Sequence, residues 1–184
     1  PGLAHARLPR SHDGIDTPWI QTETGYQLPE ELGWTPDMPI VGISVDDCIA
    51  YCQWLGSLDG HAYRLPSELE WEKAARGSEG RRFPWGDDWD PSFVAYQDTW
   101  DHPWPPPVGY MATDTSPCGA NDMAGGVREW TATSAPGRRR RFVVRGGSYM
   151  CSHSEGRPLW ERDFVLAEAS APDLGFRLVL DCNL

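Results

Sequence analysis

The side chains that could carry chemistry in this 184-residue chain are few: five cysteines, five histidines and scattered carboxylates. Cys151 opens the stretch Cys151-Ser152-His153-Ser154-Glu155-Gly156, a thiol with an imidazole two residues on. Such a pair suits a soft metal, but on an irregular loop with no third ligand the donor set is incomplete. Cys48 and Cys52 stand four apart, so on a helix they share one face. No Cys-x-x-Cys spacing occurs, and they read as buried apolar residues. Cys118 and Cys182 are isolated, which leaves the redox state of the five thiols open. No Ser-His-Asp or His-Glu-x-x-His arrangement suggests another reaction. Gly125-Gly126 and Gly146-Gly147 lack the strand-to-helix context of a phosphate loop and read as tight turns.

The charge balance narrows the partners. Sixteen Lys and Arg against 27 Asp and Glu leave −11, which disfavours nucleic acid and anionic membrane surfaces. Arg138-Arg139-Arg140-Arg141 therefore reads as a solvated hairpin tip with local ion pairs. Forty per cent hydrophobic residues, ten of them tryptophan, suffice for a core. Nineteen Gly and 17 Pro argue against a helix bundle and for a loop-rich fold. No run of apolar residues is long enough to span a membrane. The opening Pro1-Gly2-Leu3-Ala4-His5-Ala6 has no signal-peptide pattern and lacks Met, so a cytoplasmic piece of a longer protein is expected.

The elements that must position these residues start at Pro39. Pro39-Ile40-Val41-Gly42-Ile43 reads as a short strand, and Ser44 caps the helix that follows. Val45, Cys48, Ile49, Cys52 and Leu55 form its apolar stripe. Ser67 and Glu70 make a capping box for a second helix over about Glu68–Arg76, which Gly77 stops. Beyond it lie strand candidates at Val127–Thr133, Arg141–Val144 and Gly175–Leu180. Residues 1–38 read as an irregular segment, and Thr99–Pro107 as a packed surface loop with an aromatic-lined groove wall as the alternative. The pattern predicts one α+β domain over 1–184.

Six blocks carry a resemblance. Pro39–Asp47 with Ala50–Leu55, Tyr63–Glu68 with Glu70–Gly77, Phe83–Gly86, Asn121–Trp130, Arg145–Tyr149 and Asp173–Leu178 occur in the order of the formylglycine-generating enzyme family, which the chain resembles over roughly 39–180. The resemblance implies a variant of the C-type lectin fold, with two helices flanking small twisted antiparallel sheets. It also implies two metal sites. Family enzymes oxidise a sulfatase cysteine to formylglycine with copper held by two cysteines five residues apart. Cys151 matches the first, but the second falls on Gly156, and one thiolate cannot form that site. Copper and catalysis are therefore not expected; Cys151 would matter only in an enzyme. Family calcium implies Asp122 and Glu129 as ligands, although Gly126 replaces an Asn of the motif.

The leading expectation is a non-catalytic module that recognises a protein or small-molecule ligand. It resembles domains fused to bacterial serine/threonine kinases and the variable proteins of diversity-generating retroelements. In the latter, ligand contacts lie between the Gly-Gly-Ser and Gly-Phe-Arg blocks. That assigns the ligand face to Tyr149, Met150, Ser152, His153, Glu155, Trp160, Arg162, Asp163 and Phe164, where aromatic anchors alternate with charge. Trp71, Trp85 and Trp130 are expected in the core. A divergent formylglycine-generating oxidoreductase and a kinase sensor domain are the alternatives.

Overall fold

Ser44 accepts from the Asp47 amide while the Asp47 carboxylate accepts from the Ser44 amide, and this capping box launches α1, Val45–Asp59. The computed structural model describes residues 8–10, 19–23, 25–30, 33–152 and 154–181. Val45, Cys48 and Cys52 bury the predicted stripe, Leu55 is half-buried, and Ile49 at its margin is exposed. Pro39–Ile43 is not a strand. Gly42 takes a left-handed φ of +73°, which breaks the extended run. Its amide donates to Ala171 O and its carbonyl accepts from Arg10 N, so the segment works as a clamp between two loops.

Two further short strands precede α1, β1 (Ile20–Thr22) and β2 (Gly25–Gln27), a hairpin inside the segment expected to be irregular. After α1, β3 (Tyr63–Arg64) leads into α2, Glu68–Arg76, which opens on the predicted Ser67–Glu70 capping box. Arg64 fixes that entry by donating to both Glu70 oxygens at 2.8 and 2.7 Å and to Asp181 at 2.9 Å. These donors and the Ser67 amide hold the Glu70 carboxyl down at about 2.

The main sheet runs β6–β5–β4–β7, built from β4 (Arg128–Ser134), β5 (Arg141–Arg145), β6 (Arg162–Leu166) and β7 (Leu174–Phe176). β7 lies parallel to β4, the one exception to the antiparallel pattern expected among these pairings. The Gly175–Leu180 candidate divides: its first part is β7, and Val179–Leu180 forms β8, which pairs with β3. β6 falls inside the stretch expected to form the ligand face, and gives the sheet one of its edges. Its charged start and half-exposed side chains disguise it in the sequence. The arginine tip behaves as predicted. Residues 136–140 are exposed between β4 and β5, with Arg140 beside Glu168 at 3.4 Å and Arg138 over the Phe164 ring.

Two cores flank the sheet. Trp130, fully buried, packs with Val45, Cys48, Leu65, Val144 and Leu174, and its indole N–H donates to Ile43 O at 3.0 Å. Trp71 packs with Val94, Tyr96, Met123 and Leu159 on α2's side. Trp85 departs from the expectation: it is only half-buried and stacks on Phe83, centroids 5.2 Å apart.

Candidate functional site

The loop after β5 carries Cys151, and a chain of polar contacts sets its shape. Ser148 Oγ donates to Asp173, which accepts two bonds from Arg128 at 2.7 and 2.8 Å. The same hydroxyl accepts from the Met150 amide and lies 3.5 Å from the Cys151 sulfur. Cys151 packs with Trp85 and Trp89 against the second core. The position that the family motif gives its second cysteine is closed. Gly156 has a φ of +68°, and a Cβ there would lie 2.2 Å from the Trp89 ring. A copper ion bound by two thiolates does not fit these residues.

The calcium expectation meets a protein cation. Buried Glu129 accepts from Arg177 Nε at 2.5 Å and Nη2 at 2.6 Å, and from the Trp71 indole at 2.8 Å. Asp122, left-handed at φ 57°, accepts from the Gly109 amide at 2.7 Å, and burial pushes its carboxyl up. Both line a small cavity of about 230 Å³ beside Arg177. A hard ion wants six or more oxygens. The guanidinium already neutralises one of the two carboxylates, and no cluster of three metal-ligating side chains occurs among the described residues. The cation that the structure shows at Glu129 is therefore the Arg177 guanidinium. Asp114 holds this loop from beneath, accepting from the Ala124 and Gly125 amides at 2.8–3.1 Å. Burial pushes its carboxyl up to about 7 against the pull of those donors.

A larger cavity, about 850 Å³, opens beside the loop after β5. Tyr149 and Met150 form one wall, and Trp100, Asp101, His102 and Trp104 form another. Trp19 and Trp34 close it from the N-terminal segment. Trp34 and Trp104 meet edge-on, 5.4 Å between centroids at 64°, and Trp100 is braced by Tyr110 at 4.9 Å. Its size and mostly apolar lining with few polar groups are those of a ligand pocket. Thr99–Pro107 thus supplies a groove wall, the second of its two sequence readings. Trp19 and Trp34 carry no sequence signal beyond being aromatic, because the contact joins distant segments.

The predicted ligand residues divide. Tyr149 and Met150 line the cavity; Ser152 and Glu155 are exposed on the following loop; His153 lies outside the described residues, as does Cys182. Trp160 and Arg162 are exposed, but their partners are Arg76, 5.2 Å from the Trp160 ring, and Glu68, 2.8 Å from Arg162. Asp163 is half-buried between Arg128 and Arg157, and Phe164 faces Arg138. None of these four lines the cavity. β6 alternation is the reason: it sends Arg162 and Phe164 to one face and Asp163 to the other.

A family model described as "Sulfatase-modifying factor enzyme 1-like domain" matches residues 15–182. The chain belongs to that family. It is 32% identical over 199 residues to a formylglycine-generating enzyme of Streptomyces coelicolor, covering 90% of this chain and 62% of that protein. It is also 36% identical to the mouse protein named inactive C-alpha-formylglycine-generating enzyme 2, over 62% of this chain and 38% of the relative. The chain thus spans less than two thirds of the length of these relatives. Among solved structures, Treponema denticola variable protein 1 superposes with a TM-score of 0.70 at 18% identity, covering 95% of this chain and 78% of that one, a likeness of fold. The fold is the C-type lectin-like one of the formylglycine-generating enzymes.

Proposed function

We propose that this domain is a non-catalytic recognition module whose ligand enters the tryptophan-walled cavity beside Tyr149 and Met150. The family includes both enzymes and a protein named inactive, so the donor set has to decide. The observation that carries the reading is Gly156. Its left-handed backbone and the Trp89 ring 2.2 Å from a would-be Cβ leave Cys151 without a second thiolate. A scaffold rigid around Ser148, Asp173 and Arg128 then presents the cavity rather than a metal. The exposed Trp160 and Arg162 lie on a second surface, outside the cavity.

A divergent oxidoreductase is the competing reading, favoured by Cys151 standing directly after the cavity residue Met150. Titration of the purified chain with Cu(I) against a competing chelator tests the choice. The proposal expects no tight one-to-one copper. A stoichiometric copper with two sulfur neighbours in its X-ray absorption spectrum would overturn it.

A further inference from the structure

We infer that the large cavity takes an organic cation with an apolar shell, such as a methylated ammonium group. The inference deepens the recognition reading and rests on it.

The argument starts from where the donors of the aromatic walls point. The Trp100 indole N–H donates to Trp104 O at 2.7 Å, so that ring offers the cavity its π surface. The Tyr149 hydroxyl reaches the Pro172 and Pro103 carbonyls at 3.3 and 3.4 Å, and burial pushes its phenol up to about 12. The Trp104 amide donates to His102 Nδ1 at 3.4 Å, which engages that nitrogen within the wall. The Trp100 and Tyr149 donors that an anion would need are thus turned into the protein. Trp34 and Trp104 meet at a steep angle, making a corner in which one guest can touch both rings. Electron-rich ring faces at this spacing attract cations, and a quaternary ammonium, weakly hydrated, loses little on entry.

The lining carries one charge of each sign, and the chain around it is acidic. Asp101 is the lining carboxylate, at an exposed position. Arg10 also lines the cavity, at an exposed position, and opposes a cation there. The chain as a whole carries −11, so the far field draws cations in.

Choline and its neutral isostere 3,3-dimethylbutanol separate charge from shape. Titration of the whole chain with each, followed by tryptophan fluorescence, should give saturable binding of choline at least about tenfold tighter than the isostere. Asp101→Asn, at an exposed position that leaves the fold intact, should weaken choline about threefold or more, and Arg10→Ala should strengthen it. Trp104→Phe should weaken choline and keep the fold. Saturable binding of the isostere as tight as choline overturns the cation assignment while keeping the cavity as a recognition site. No saturable response to choline overturns it too, and the copper titration judges the recognition reading separately.

Discussion

Gly156→Cys restores the missing cysteine on paper, and the structure says what it would cost. The new Cβ would stand 2.2, 2.4 and 2.7 Å from Cε3, Cζ3 and Cδ2 of Trp89, and the backbone would have to keep a φ of +68°. A non-glycine residue in the left-handed region costs ~1–2 kcal/mol. Moving Trp89 adds an overpacking cost of ~1–3 kcal/mol, because its ring is held by Phe83 at 5.2 Å and Tyr96 at 5.3 Å. The variant should lose ~2–5 kcal/mol in urea denaturation and gain no tight Cu(I) site. Trp89→Ala on the Gly156→Cys background removes the obstacle, so the two changes should be coupled: the cysteine should destabilise less with Ala at 89 than with Trp. A Gly156→Cys chain as stable as the parent, or additive effects of the two changes, would refute the steric argument.

Trp130→Ala should lower stability by ~3–5 kcal/mol, read by thermal or chemical denaturation, since it empties the first core and orphans Ile43 O. Arg177→Met should cost ~3–5 kcal/mol by leaving buried Glu129 without its cation, and Glu129→Gln on that background should recover part of the loss. Asp114 sits at about 7 in the fold against an ordinary value of 3.8. Its contribution is therefore full below about pH 4 and is lost as pH rises through 7, by at most ~4 kcal/mol. Asp114→Asn should flatten the fall in melting temperature between pH 4 and 7. Glu70, held at about 2, acts in the opposite sense, losing its contribution as pH falls from about 4.5 toward 2.

What the chain shows before folding is its local grammar. Ser44, Ser67 and Glu70 are short-range caps, so both helices are legible, as are β4 and β5. β6 is not, because its edge position comes from pairing Arg162–Leu166 with a strand far back in the chain. Likewise the Pro39–Ile43 run reads as a strand until Gly42 turns left-handed under Arg10. At the site, Cys151 and Gly156 speak through spacing alone, and Tyr149 and Met150, expected on a ligand face, line the cavity. The cavity itself was not legible, since Trp34 meets Trp104 and Trp19 joins the lining across the fold with no sequence period to announce it. The pairing of Glu129 with Arg177 was equally invisible, since the two lie 48 residues apart.

The most direct test of recognition without oxidation is mass spectrometry of a sulfatase-type cysteine peptide incubated with the chain, Cu(I), a thiol reductant and air. The account predicts that the peptide thiol survives unchanged. Conversion of that cysteine to the formylglycine aldehyde, at a rate that depends on Cys151, would contradict it.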